Sequence, residues 1–337
     1  MTGMEKIVYR PARDEFAYTF GGRMPVAHVR SGELLQVVTE DCFGGLVRGP
    51  ADLPSQVCRM PYLNPVSGPF FVEDAEPGDT LAVHVISIEP RRDWGVSATF
   101  PHFGALTSTA HTATLQPPLQ ERVWVYEVDK TAGTVRYRAT AGDHSVDLPL
   151  EPMIGTIGVA PGGFEARSTI VPDTHGGNID TPHLRAGATL YLGVNMHGAM
   201  LALGDGHARQ GEGEACGVGV EIATTTTLAV EVIKGVPTVW PRLETDHAIM
   251  SIGAARPLED AYRIAHRDLV AWTAALTGLD ELDAYQLVSQ AARAPIGNVC
   301  NPNYTIAAAV DKQFLPSPTT PYRGIHDRLR QLATDHR

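Results

Sequence analysis

Half of the glycine in this chain is packed into just over a quarter of its length. Of 33 glycines, 17 fall in the 94 residues from Gly142 to Gly235. Glycine at that density suits tight turns, bulges and close backbone approach, and it works against helices. Strand patterns precede this region and continue through it. They read Glu33-Leu-Leu-Gln-Val-Val-Thr39, Thr80-Leu-Ala-Val-His-Val-Ile-Ser-Ile88, Arg122-Val-Trp-Val-Tyr-Glu-Val128 and Thr134-Val-Arg-Tyr-Arg-Ala139, then Ala188 to Val194, Gly217 to Ile222 and Thr224 to Val232. Glu76-Pro-Gly-Asp79 is a turn signal before one of them, since Pro fixes φ and Gly accepts positive φ.

The periodicity changes after Arg256. Pro257 suits a first helical turn, and apolar residues recur at Leu258, Ala261, Tyr262, Ala265, Leu269, Trp272 and Leu276, one face of a helix. Gly278 is placed as a C-terminal cap, and Asp280 with Asp283 opens a second helix that runs to about Ala292. Tyr304 to Val310 reads as a closing strand, and the polar, proline-spaced residues after it as a tail on the surface. The expected fold is mainly β, β-sandwich-like and α+β overall, with a C-terminal helical pair. One domain is expected over residues 1–337: mostly β to about 255, helical over about 257–292, closing strand and tail over 300–337.

Charge and motif content exclude several functions. Lys plus Arg is 27 and Asp plus Glu 38, for a net charge of −11, with no basic run beyond pairs such as Arg91-Arg92. Nucleic acid and an anionic membrane are therefore not expected as partners. No apolar run is long enough to span a bilayer, and the N-terminus lacks the apolar core of a signal peptide. The four cysteines stand far apart, so free thiols in the cytoplasm are expected. No glycine-rich dinucleotide turn or phosphate-binding loop occurs, and no Gly-x-Ser-x-Gly elbow anchors a serine triad.

Chemistry-bearing residues concentrate between Thr174 and Glu214: His175, Asp180, His183, His197, Asp205, His207, Glu212 and Glu214. Histidine and carboxylates are the ligands a hydrolytic metal uses, and glycine lets backbone crowd around a small site. Two glycine-rich stretches flank a strand here, so a hairpin is expected to bring Asp180 and His207 to one end of a sheet. Asp41 stands at a strand end before Cys42-Phe-Gly-Gly45. Glu73 and Glu221 sit in apolar surroundings, where desolvation raises a carboxyl pKa and suits it to acid–base work. His102 lies in a loop that can face a site, and His84 reads as structural. Cys216 is a possible thiol nucleophile, but no base stands near it in sequence.

Several longer stretches carry a resemblance. They are Gly68-Pro-Phe-Phe-Val-Glu-Asp-Ala-Glu-Pro-Gly-Asp-Thr-Leu81, Met153-Ile-Gly-Thr-Ile-Gly-Val-Ala-Pro161, Gly176-Gly-Asn-Ile-Asp180, Gly204-Asp-Gly-His-Ala-Arg-Gln-Gly-Glu-Gly-Glu214 and Asp283-Ala-Tyr-Gln-Leu-Val-Ser289. In that order and register, the chain resembles the acetamidase/formamidase family. The resemblance implies hydrolysis of the C–N bond of short linear amides to ammonia and a carboxylate. It also implies a mainly β fold, a cytoplasmic location and a homo-oligomer. Residues 101–104 and 216–221 depart from the usual family form, which can reshape the substrate pocket.

Hydrolysing an amide near neutral pH takes an activated water, a stabiliser for the oxyanion and an acid for the leaving nitrogen. A bound divalent metal is expected, zinc first and calcium as the alternative, with Asp41, Asp180 and His207 as ligands. Glu221, or alternatively Glu73, is expected to shuttle the proton. Asn178, the backbone at Gly177 and His102 are expected to bind substrate. The alternatives are an amidase with Cys216 as nucleophile and a non-catalytic β-sandwich that binds small ligands or calcium.

Overall fold

The computed structural model describes residues 6–107, 118–316 and 320–334. Two large sheets face one another. One runs in the order Lys6–Tyr9, Leu34–Thr39, Thr224–Ile233, Thr80–Pro90, Thr189–Gly193, Arg242–Glu244, Ala248–Ala255, Tyr304–Asp311, Ile296–Asn298. The other centres on Leu201–Arg209, which pairs with Met153–Gly158, with Val220–Glu221 and with Val66–Val72. Alternation along the strands fixes which side chains meet. In Thr80–Pro90, Leu81, Val83 and Val85 enter the core between the sheets, whereas Ala82 and Ile86 face outward. Tyr304–Asp311 does the same, with Ala307 and Ala309 inward and Ile306, Ala308 and Val310 outward.

Helices cover those outward faces. The expected pair forms as Leu258–Thr277 and Glu281–Ala291, packed on the last strands through Ala261, Ala265, Leu269 and Val288. Gly278 ends the first helix at φ 73°, and the Asp280 side chain accepts from the Asp283 amide at 2.9 Å. Two expectations need correction. Only Val220–Glu221 of the stretch Gly217–Ile222 is a strand, because residues 211–219 turn over the site. The C-terminus is not a surface tail over 325–334. Ile325–Thr334 is a helix that buries Ile325, Leu329 and Ala333 on Ala82, Ile86, Tyr191 and Ala229. Its four-residue spacing is short and lies among charged residues after several prolines, which masks it in sequence. Among the described residues, no helix is long and apolar enough to cross a membrane.

Candidate active site

The site lies where three strands of the second sheet run side by side. Met153–Gly158 lies between Gly176–Asn178 and Leu201–Arg209, and it is this middle strand, not a hairpin, that brings Asp180 toward His207. Register places His207 opposite Glu221 on the other neighbour of Leu201–Arg209. Asp205, two residues before His207, falls on the same face. Gly155 makes the approach possible. A Cβ there would stand 2.3 Å from Asp205 Oδ2 and 2.6 Å from Asp180 Oδ1.

His207 is almost fully buried, and its Nε2 lies 3.0 Å from Glu221 Oε1 and 3.2 Å from Asp205 Oδ1. Glu221 also accepts from the amides of Gly219 at 3.0 Å and Cys42 at 3.3 Å. Asp205 Oδ2 accepts from Thr156 Oγ1 at 3.1 Å. Asp180 Oδ2 accepts from Asn301 Nδ2 at 2.6 Å, while its buried Oδ1 has no described partner. Glu214, held at φ 44°, accepts from the Cys300 thiol at 3.2 Å.

Burial, set against the charges within the cluster, fixes the proton affinities. It pushes Glu214 up to about 8, with further upward pressure from Glu221 and Asp205 against His207. Burial likewise pushes Glu221 up to about 7, where the charge on His207 opposes it and Asp205 adds to it. Asp180 is raised well above the carboxylate range by burial and by Glu214. Burial opposes ionisation of Asp205 too, but the His207 charge and hydrogen bonds from His207, Glu221 and Thr156 outweigh it, so its pKa is lowered. For His207 burial disfavours the proton and the two carboxylates win, which raises it. The arrangement therefore pairs an ionised carboxylate with carboxyls that hold protons near neutral pH.

A small cavity opens onto this cluster, with a free volume of about 50 Å3. Asn64, Asn178, Asp205, Glu214, Glu221 and Asn301 form its polar wall. Phe43, Leu63, Phe100, Phe103, Ile170 and Val218 form the apolar one, with the rings of Phe100 and Phe103 stacked 4.9 Å apart.

Asp180, His207, Glu221 and Asn178 thus come together, and the other expected residues do not. Asp41 is a turn carboxylate. Its Oδ1 accepts from the amides of Phe43 and Gly45 at 3.1 and 2.9 Å, and Arg92 fills Oδ2 at 2.6 Å. Glu73 is at the surface, paired with His28 at 2.7 Å. His102 is exposed at φ 61°, although Phe100 and Phe103 beside it reach the cavity. Gly177 is spacing rather than contact: a Cβ there would lie 2.2 Å from the Val171 carbonyl. Thr156 joins the site from the stretch Met153–Pro161, and Asn64, Cys300 and Asn301 join it from distant segments that carry no motif of their own. The thiols of Cys42 and Cys300 are pushed well up by burial and nearby carboxylates, so both stay protonated. Cys216 is exposed, and among the described residues its thiol meets the Val218 carbonyl at 3.2 Å and Ser97 Oγ at 3.9 Å.

A buried imidazole between carboxylates, beside a small pocket, is an arrangement suited to acid–base chemistry on a small molecule. The sequence profile of the Acetamidase/Formamidase family matches residues 23–164 and 162–310. The chain belongs to that family. A crystal structure of an acetamidase from Yersinia enterocolitica superimposes with a TM-score of 0.86 at 41% identity, over 94% of both chains. An acetamidase from Bacillus halodurans gives 0.80 at 30% identity, over 92% of this chain and 98% of that one. Among curated relatives, the chain is 27% identical to an acetamidase from Mycolicibacterium smegmatis, over 55% of this chain and 56% of the relative. It is 26% identical to a formamidase from Methylophilus methylotrophus, over 62% of this chain and 61% of the relative. The matched stretches thus span a little over half of those two proteins.

Proposed function

We propose that this protein hydrolyses the C–N bond of short linear amides, releasing ammonia and a carboxylate. The observation that carries the reading is the cavity of about 50 Å3 faced by Glu221, Glu214 and Asp205. That volume holds roughly three or four water-sized groups, the size of formamide or acetamide. Glu221, poised at about 7, takes a proton from the attacking water and returns it to the departing nitrogen. Glu214, protonated up to about 8, is the second proton source on the same wall. The Asn178 and Asn301 side chains face the amide group and orient it. Phe100, Phe103 and Phe43 exclude bulk water and limit the acyl group.

A divalent metal fits this cluster. Asp180, Asp205 and His207 offer ligand atoms that lie within 4.8 Å of one another, and the buried Oδ1 of Asp180, with no partner among the described residues, can serve as a ligand oxygen. One imidazole nitrogen with two carboxylates suits zinc; calcium asks for six to eight oxygens. Such a metal would supply a more acidic water and a Lewis acid for the oxyanion. The set has Asp205 in place of Asp41, whose carboxylate is held by Arg92 and lies in none of the groups among the described residues that could hold an ion.

Ammonia release across formamide, acetamide, propionamide and benzamide tests the function. Hydrolysis of the smaller amides is expected, with Glu221→Gln slower by about 10²–10⁴-fold. No turnover of any amide by the metal-replete protein would sink the reading. Cys216→Ser is expected to keep most of its activity, since no described base reaches that thiol.

A further inference from the structure

A second concavity lies across Phe43 from the catalytic cluster. Phe43 lines both, but the second has a free volume of about 620 Å3. Residues 11–18, 38–48 and 57–65 enclose most of it. Four guanidinium groups border it: Arg13, Arg48, Arg59 and Arg91. Arg48 Nε donates to the Gly45 carbonyl at 2.9 Å and Arg91 Nη1 to Thr225 Oγ1 at 3.1 Å. None of the four forms an ion pair among the described residues, and Glu40, the one lining carboxylate, is already held by Arg92. In a chain of net charge −11, this is a local excess of positive charge with no carboxylate partner among the described residues. Tyr18 and Tyr62 add an aromatic corner, their rings T-shaped at 5.3 Å, and Tyr62 is largely exposed.

Like charges around one concavity repel, and the low-dielectric walls focus their field on whatever enters. Guanidinium forks match the two oxygens of a carboxylate or phosphate, and aromatic faces beside them accept a flat apolar skeleton. A cavity of this size is that of a small-molecule site, too roomy for a lone inorganic anion to fill. We propose that this cavity is a binding site for an organic anion, carrying carboxylate or phosphate groups on a ring-bearing skeleton. It shares Phe43 with the amide pocket but does not depend on how that pocket is read.

Calorimetric titration of the full chain with phthalate, phenyl phosphate and acetate tests this. One saturable site with a Kd below about 1 mM is expected for phthalate or phenyl phosphate, weakening as salt rises. Acetate is expected to bind far more weakly. Whichever of the first two binds more tightly identifies the charged group. Arg13 and Arg59 make no side-chain hydrogen bond to a described residue, so Arg13→Gln with Arg59→Gln spares the fold. That double variant should lose about tenfold or more in affinity and keep the parent's amide hydrolysis. Three results would overturn the proposal. They are no saturable binding of phthalate or phenyl phosphate, equal affinity in the double variant, and a changed subunit number in light scattering, which would assign the arginines to an interface.

Discussion

At Gly155, two carboxylates stand where a side chain would begin. An alanine methyl at 2.3 Å from Asp205 Oδ2 and 2.6 Å from Asp180 Oδ1 overlaps both, so the carboxylates have to separate. Gly155→Ala is therefore expected to leave a folded protein with amide hydrolysis down by 10²-fold or more, roughly the cost of a 1 Å misplacement. Circular dichroism with an ammonia assay checks this, and a variant as active as the parent would show that the two carboxylates need not be close. His175 raises a different residue-scale matter. It is fully buried against Phe20, neither ring nitrogen has a described partner, and burial lowers its pKa to about 4. Unfolded histidine titrates near 6.5, so the unfolded chain binds the proton first as pH falls. The contribution from this group is complete above 6.5 and is lost as pH drops toward 4, by roughly 3 kcal/mol in all. His175→Phe keeps an edge contact with Phe20 and removes the proton site. Its denaturant stability should fall less than the parent's between pH 6.5 and 4, and parallel pH curves would exclude His175 as the cause.

Elements with a strong period were legible in the sequence, and those defined by what they lie against were not. Leu258–Thr277 and Glu281–Ala291 each carry an apolar face and a readable terminus, so their bounds follow from local chemistry. The helix Ile325–Thr334 carries its apolar stripe in only three turns, and its reason to form is the outward face left by Ala82, Ile86 and Tyr191. The site divides the same way. Asp180 and His207 stood out because histidines and carboxylates concentrate among the glycines of 174–214, and Glu221 because it sits in apolar surroundings. Asp41 stood out equally, since an aspartate before Gly44-Gly45 looks alike whether it caps a turn or holds a ligand. Glu73 follows a buried strand yet emerges at the surface on His28, a matter of which face the chain leaves by. Asn301 reaches Asp180 from 121 residues away, and local pattern carries no trace of such a contact. The C-terminal helix gives the element-scale prediction. Leu329→Ala should cost roughly 2–5 kcal/mol in denaturant unfolding, as for a well-packed core leucine. A loss within about 0.5 kcal/mol would mean that the helix is a loosely held tail.

For the whole molecule, the electrostatics of the site and its stability are one question. Asp180, Asp205, Glu214 and Glu221 are buried around a single imidazole, in a chain that already carries a net charge of −11. Burial first, and the neighbouring carboxylates after it, push Glu214 up to about 8 and Glu221 to about 7 against the charge on His207, so the cluster holds protons near neutral pH. A divalent ion held by Asp180, Asp205 and His207 would replace those protons and bind only the folded chain, since the unfolded chain scatters its ligands. Binding that selective stabilises by mass action, by roughly 2.7 kcal/mol at a free ion concentration 100 times its Kd. We therefore expect the Tm of the zinc-replete protein to fall by several degrees on dialysis against a chelator and to recover when zinc is restored. Asp180→Asn removes one donor charge and keeps the side-chain shape, so its Tm should respond weakly to either treatment. Glu73→Gln, which alters a carboxylate paired with His28 at the surface, should respond as the parent does. Differential scanning calorimetry on the three proteins reads this without any substrate. A parent whose Tm ignores both chelator and zinc would leave the cluster to its protons alone and remove the metal from the site.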